Sequence, residues 1–133
     1  MPVIAYHAIF TIYGTWLPND PRGSYSTKVY NEELAALGDP QYGRQFPQPP
    51  REELRRFRIA VTPRLKREPF YINADTRPII ADAFADVVQR LHLVIHACAI
   101  MTNHVHLVVR RATQHRIEYV VNQLKGAATR KLQ

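Results

Sequence analysis

Apolar residues recur along the chain with spacings that predict strands in some stretches and helices in others. A continuous run of β-branched and aromatic residues at positions 3–12 predicts a strand buried on both faces. Apolar residues at helical spacing over positions 77–91 predict an amphipathic helix, with Thr76 as its expected N-cap. The apolar stretch 93–100 predicts a buried strand, and the stretch 104–109 predicts another strand.

The last part of the chain completes this order of elements. The short connection 101–103 predicts that the two later strands form an antiparallel hairpin. Thr113 is the expected cap of a second helix, which continues to the last residue. The order favours an α+β fold, a ferredoxin-like split βαβ arrangement with an antiparallel sheet and two helices. A final strand is expected in that arrangement and is unaccounted for in this sequence.

A long insertion separates the first strand from the first long helix. Residues 19–50 are rich in Pro, Gly, Asp, Asn and Tyr, with one short helical pattern around 32–37, which predicts an excursion over the surface. In the stretch 51–67, seven basic residues accompany two acidic ones, so it is either a phosphate-binding segment or a solvated loop. We expect a single domain over residues 1–133, with residues 19–67 as a surface insertion.

Charge and composition narrow the class of partner. The net charge of +7 and a pI of about 9.9 favour polyanions, because clustered Lys and Arg displace counterions from phosphates. Apolar stretches are too short to span a bilayer and the start lacks a basic signal region, so no membrane partner and a cytoplasmic location are expected. The single cysteine, Cys98, is expected to be a small buried hydrophobe in a reducing compartment.

Two histidines stand out in the last predicted strand. Strand alternation puts His104 and His106 on one face, with Val105, Leu107 and Val109 on the other. Their spacing suits a shared divalent metal, which would act on a phosphodiester as a Lewis acid. By itself the pattern decides little, because six histidines in 133 residues produce it by chance in an appreciable minority of sequences.

The residues around this pair resemble a known family. The stretch 99–109, Ala-Ile-Met-Thr-Asn-His-Val-His-Leu-Val-Val, resembles the HUH signature of the single-tyrosine transposases, including those associated with repetitive extragenic palindromes. Residues 6–11, 13–18 and 123–126 also look like that family's first strand, the turn after it and the helix after the HUH strand. The resemblance implies a domain that cuts and joins single-stranded DNA next to small hairpins.

The resemblance also implies roles for particular residues. His104 and His106 would help bind Mg²⁺ or Mn²⁺, which positions the scissile phosphate for attack by a tyrosine. In the family that tyrosine follows the helix that here ends at Gln133, so we expect a chain truncated at its C-terminus, either a fragment or a natural remnant. Tyr119 precedes Lys125 and does not match the family's position, so it is interpreted as an exposed helix tyrosine and the nucleophile stays unassigned.

A basic surface is expected beside the histidine pair. Residues 110–133 carry six basic side chains and one acidic side chain, Glu118. This asymmetry favours a surface that contacts phosphates. The solvated surface of a helix explains Lys125, Arg130 and Lys131 almost as well. The expected DNA-contacting residues are Arg110, Arg111, Lys125, Arg130 and Lys131.

Other aromatic and histidine residues have less specific interpretations. His7 and His96 lie on predicted strands and are interpreted as structural residues. Tyr13 and Trp16 are interpreted as covers for the edge of the core, with stacking on unpaired bases as the alternative.

Three functions stay open at this point. One is a metal-dependent DNA nicking and joining enzyme whose tyrosine lies outside these residues, acting on single-stranded DNA hairpins. Another is a non-catalytic module of ferredoxin-like fold that binds single-stranded DNA or RNA, although the strand beginning at His104 lacks the aromatic residues typical of RNA-recognition modules. The third is a phosphodiesterase that uses water and needs a general base not identified here. Relatives act as monomers or dimers, so a homodimer is left open.

Overall fold

The computed structural model of the chain describes residues 2–12 and 16–133 and divides it into two units. The first unit, which we call the sheet unit, comprises Met1–Thr11 and Tyr71–Gln133. The second, the insertion unit, comprises Ile12–Phe70. The sequence turn at 13–15, including Tyr13, lies outside the described residues.

Three antiparallel strands form the sheet. They are β1 (Ala5–Thr11), β2 (Ile95–Ile100) and β3 (His104–Arg110), in the order β1-β3-β2. Since both β1 and β2 pair antiparallel with β3, they run parallel to each other with β3 between them. This is the split βαβ arrangement, and the predicted ferredoxin-like α+β fold is confirmed.

Two long helices pack on one face of this sheet. The helix α3 (Thr76–Leu91) connects β1 to β2 along the chain, and α4 (Ile117–Leu132) follows β3. The buried residues of α3 recur every three or four positions, which is the spacing of one helix face. They are Ile80, Ala83, Phe84, Val87 and Leu91. None of the described helices is both long and apolar enough to cross a membrane.

The core lies between the helices and the inner face of the sheet. Val105, Leu107 and Val109 of β3 are each no more than 2% exposed, as are Val120 and Leu124 of α4. Burying an aliphatic side chain of this size contributes about 1.5–3 kcal/mol relative to leaving it in water. This contact therefore contributes substantially to the stability of the sheet unit.

The start of α3 differs from the sequence prediction in one detail. Thr76 is the first residue of the helix and not its N-cap, which is Asp75. The side chain of Asn73 accepts hydrogen bonds from the backbone amides of Asp75 and Thr76, both at 2.9 Å. Asn73 thus accepts hydrogen bonds from backbone amides at the start of α3, which is the capping role that the sequence pattern assigned to Thr76.

Two strand predictions are wrong about burial. His7 and Ile9 of β1 are exposed while Phe10 is buried, because α3 and α4 cover only one face of the sheet. The β2 residues 96–99 are exposed as well, since β2 forms an edge of the described sheet. Cys98 is therefore an exposed thiol and not a buried hydrophobe, and partial burial raises its pKa.

The insertion unit contains helices of its own. The short α1 (Glu32–Ala35) confirms the helical pattern, and the Asn31 side chain caps it by accepting hydrogen bonds from two backbone amides. The helix α2 (Arg51–Val61), which the residue pattern did not predict, is followed by one turn of 3₁₀ helix, Thr62–Arg64. In α2 the Glu52 carboxylate lies 3.7 and 3.9 Å from two arginines one turn later, a spacing that supports a helix.

Candidate metal centre on the histidine face

The sheet face opposite α3 and α4 carries three histidines, and we call it the histidine face. His104 and His106 alternate along β3 with the buried Val105 and Leu107, so their side chains point away from the core. His106 pairs with Ile9 of β1, and His7 lies two residues before Ile9 on the same face. The diagonal position on adjacent strands brings His7 within reach of His106.

The two β3 histidines direct nitrogen atoms at each other. The Nε2 atoms of His104 and His106 are 3.0 Å apart, and their rings are inclined at 74°. Two ligand atoms at right angles, each about 2.1 Å from one cation, lie about 3.0 Å apart. The separation of the two nitrogens therefore fits a shared octahedral metal ion.

The remaining nitrogen of each imidazole has a hydrogen-bond partner. The Nδ1 atom of His104 lies 2.7 Å from Oδ1 of Asn103. An amide oxygen can only accept, so Nδ1 carries the proton and Nε2 of His104 keeps its lone pair. The Nδ1 atom of His106 lies 3.0 Å from Nε2 of His7, and these two rings stack with centroids 5.3 Å apart.

The protonation of His104 also suits a ligand. Partial burial lowers the pKa of His104, and the charge of nearby His106 lowers it further. A lowered pKa favours the neutral imidazole near pH 7, which is the form whose nitrogen lone pair binds a metal.

Additional metal ligands of the usual types do not gather at this site. In residues 2–12 and 16–133, no group of three or more His, Cys, Asp or Glu side chains is placed to hold a metal ion. Asn103 and His7 therefore stand as hydrogen-bond partners of the pair, and the pair itself supplies two nitrogen atoms.

Tyr119, which was interpreted as an exposed helix tyrosine and not as the nucleophile, lies on α4. Tyr119 is 42% exposed, and its ring stacks on that of His115 with centroids 5.2 Å apart. Tyr119 is thus an exposed helix tyrosine whose ring is engaged by a neighbouring histidine. Its assignment as a nucleophile gains no support from this geometry.

The five expected DNA-contacting residues are distributed over two layers of the sheet unit. Arg110, at the end of β3, alternates onto the histidine face but lies six residues from His104, about 20 Å along a strand. Arg111 follows and is exposed. Whether either residue contacts DNA stays a prediction.

The other three belong to α4, in the helix layer. Lys131 forms an ion pair with Asp86 of α3, with Nζ and Oδ2 3.2 Å apart. The Nζ atom of Lys125 lies 5.7 Å from the ring centroid of Phe10. Arg130 lies beside Gly126 on the same helix. The structure therefore does not bring the five basic residues together into one patch.

Sequence reasoning missed the contacts of His7 and Asn103. Period-two alternation along β1 puts His7 and Phe10 on opposite faces, so a one-sided sheet would have put His7 on the face that carries His104 and His106. The contact itself depends on the β1-β3 register, which joins residues 99 positions apart. His96, also interpreted as structural, is exposed on β2.

Trp16 is engaged within the insertion unit. Its indole nitrogen donates a hydrogen bond to the carbonyl oxygen of Gly23 at 3.0 Å. The guanidinium of Arg22 lies 3.7 Å from the ring centroid and also pairs with Asp20. One ring face is therefore covered by a cation, and the indole helps hold the loop of the insertion unit.

The fold and the pair define a class: an α+β domain of ferredoxin-like type with a His-x-His pair on its exposed sheet face. Comparison with known protein families matches residues 55–133 to the family described as "Transposase IS200 like". The match includes β2, β3, α3 and α4, and covers more than half of the chain. The chain therefore belongs to the IS200-like transposase family, as the resemblance predicted. No curated protein matched the chain.

Proposed function

We propose that this chain is the single-stranded DNA nicking and joining domain of a transposase, with Mg²⁺ or Mn²⁺ bound by His104 and His106. The observation that carries the proposal is the 3.0 Å separation of the two Nε2 atoms on the histidine face. Membership of the IS200-like transposase family supports DNA as the substrate. The metal, when bound, supplies Lewis-acid polarisation of a phosphodiester oxygen.

Two neighbours hold the histidines in position. The Nδ1–H group of His104 donates a hydrogen bond to Oδ1 of Asn103, which leaves Nε2 of His104 unprotonated. His7 lies against Nδ1 of His106, and its Nε2 atom accepts a hydrogen bond from Nδ1–H when Nε2 of His106 acts as a ligand. Both contacts fix ring orientation before a metal or a DNA strand arrives, which reduces the cost of binding.

The proposed substrate is a single strand beside a small DNA hairpin. A net charge of +7 provides electrostatic attraction to any nucleic acid. An exposed sheet face admits an unpaired strand, whose bases are not enclosed in a duplex. Arg110 and Arg111 are the predicted phosphate contacts that adjoin β3.

We assign the nucleophile to a tyrosine outside the 133 residues of this sequence. Its phenolic oxygen would attack the phosphorus, forming a 5′-phosphotyrosine bond as the bond to the 3′ oxygen breaks. The phenol loses its proton in this step and the released 3′ oxygen gains one, so the leaving group is a hydroxyl and no net proton is consumed. His104 and His106 would hold the metal that fixes the phosphate for this displacement.

Cleavage of labelled hairpin DNA with Mn²⁺ tests the proposal. The chain is compared with the longest protein that its reading frame encodes, each as wild type, His106→Ala and His96→Ala. His96 is the matched control because it is an exposed histidine on the neighbouring strand β2. We expect cutting only by a protein that contains the tyrosine, with loss in His106→Ala and retention in His96→Ala.

The products decide the reaction type. Protein joined to the 5′ end of the cut strand supports a tyrosine nucleophile, whereas a free 5′ phosphate indicates attack by water. If all the proteins bind the hairpin without cutting it, and binding needs neither the metal nor His106, the chain is not an enzyme of this type. It is then a non-catalytic module that binds single-stranded DNA or RNA.

A further inference from the structure

Several aromatic rings of the insertion unit are largely exposed to solvent. Tyr25, Tyr30, Tyr42 and Phe46 are between 67% and 85% exposed. Aromatic side chains dominate core and interface energetics when they are buried, so the same rings in water leave much binding energy unused. Exposed rings grouped in one segment are a feature of surfaces that bind another molecule.

Two of these rings are held next to each other by the backbone. The loop strands around Ser24 and Tyr42 pair in parallel, with Ser24 donating to the Gln41 carbonyl at 2.9 Å and Gly43 donating to Ser24 at 2.6 Å. The rings of Tyr25 and Tyr42 then meet edge to face, with centroids 5.6 Å apart. The pairing of the two backbone segments therefore brings these rings together.

A glycine makes this approach of the two segments possible. Gly23 has a φ of +94°, in the left-handed region that favours glycine. A Cβ atom at this position would clash with the carbonyl oxygen of Gly43. Gly23 therefore allows the close backbone contact that sets Tyr25 beside Tyr42.

Positive charges accompany the exposed rings. The Nζ atom of Lys28 lies 5.2 Å from the ring centroid of Tyr30. The guanidinium of Arg44 lies 5.4 Å from the ring centroid of Phe46. Cations beside exposed rings suit a ligand with both flat faces and negative charges.

The surroundings of the rings are polar and not apolar. Ser26, Thr27 and Gln41 are exposed neighbours of the tyrosine pair in sequence. A protein partner would favour a contiguous apolar patch, whereas separate rings interleaved with cations fit unpaired bases and their phosphates.

We propose that Tyr25 and Tyr42 form a stacking site for unpaired bases of single-stranded nucleic acid, with Arg44 and Lys28 as nearby phosphate contacts. This site is distinct from the histidine pair, and it precedes the family match, which begins at residue 55. The inference rests on the proposed function in one respect, since both require that the chain binds single-stranded DNA. The stacking site would be the part of the insertion unit that binds unpaired strands.

Binding of a fluorescent oligothymidylate to the full chain, followed by anisotropy, tests the site. The variants are Tyr25→Ala/Tyr42→Ala and, as the matched control, Tyr25→Phe/Tyr42→Phe, which keeps both rings. Loss of one stacked base costs at least about fivefold in affinity, so the alanine variant should bind at least that much more weakly. The phenylalanine variant should stay within about twofold of wild type, because rings and not hydroxyl groups stack on bases.

A duplex of matched length and the thermal unfolding of each variant complete the experiment. Unchanged unfolding shows that an affinity change comes from the surface, and affinity for the duplex should change much less than for the single strand. Wild-type affinity in the alanine variant, equal losses in both variants, or equal losses for duplex and single strand would each overturn the stacking site. A wild-type chain that binds no oligonucleotide would overturn the proposed function as well.

Discussion

The two faces of β3 show how one strand serves both stability and chemistry. Val105 and Leu107 face α3 and α4 and are no more than 2% exposed. His104 and His106, which alternate with them, point to the other face and meet other polar groups. The same backbone pairing with β1 and β2 supports both sets. Substitutions on one face should therefore change the free energy of unfolding, and those on the other should change metal binding.

Substitution on the core face of β3 should have the greatest effect on the free energy of unfolding. Leu107→Ala should lower the free energy of unfolding by about 2–5 kcal/mol, because it removes buried methyl groups and leaves a cavity. Urea denaturation followed by circular dichroism measures this loss. Val108→Ala, on the histidine face, is the control and should cost less than half as much. Equal losses in the two variants would contradict the difference between the faces.

An intermediate effect is expected at His7. His7→Ala should weaken Mn²⁺ binding about 10- to 100-fold, the usual cost of losing a hydrogen-bond partner behind a metal ligand. His7→Gln should restore much of the affinity, because an amide oxygen also accepts a hydrogen bond from the Nδ1–H group of His106. Electron paramagnetic resonance of free Mn²⁺ measures both affinities. Wild-type affinity in His7→Ala would show that His7 has no positioning role.

The smallest expected effect is a pH dependence carried by His104. Burial and the charge of His106 lower the pKa of His104 in the folded protein below its ordinary value of 6.5. At a pH between the lowered pKa and 6.5, the unfolded chain therefore binds more protons than the folded chain. The free energy of unfolding should therefore fall as the pH drops from 7 through 6.5 toward the lowered pKa.

Urea denaturation in EDTA at several pH values measures this dependence without a metal. His104→Gln should show a shallower decline than wild type over that range, and His96→Gln should match wild type. A decline of the same steepness in wild type and His104→Gln would show that His104 does not contribute.

Much of the fold was predictable from local patterns. The periodicity of 77–91 is satisfied by one amphipathic helix, and the alternation along 104–109 places the two histidines opposite the core valines. Such patterns encode which side of an element faces the core, because burial on one side selects apolar residues there.

Features that depend on neighbouring elements were not predictable in this way. An apolar run such as 95–100 reads the same whether the strand lies in the middle or at the edge of a sheet, and Cys98 was misplaced for that reason. The helix α2 was not predicted, because arginines are frequent in its sequence and its apolar face is short. The contact of His7 with His106 depends on strand register between distant segments, which no local pattern contains.

The proposed function depends on the claim that His104 and His106 bind a divalent metal, and a Mn²⁺ titration measures this binding. The chain is titrated as wild type, His104→Ala, His106→Ala and His96→Ala, with free Mn²⁺ followed by electron paramagnetic resonance. We predict a single Mn²⁺ site in wild type and His96→Ala that is lost in His104→Ala and in His106→Ala. Equal Mn²⁺ binding by all four proteins, or none by wild type, would contradict the claim.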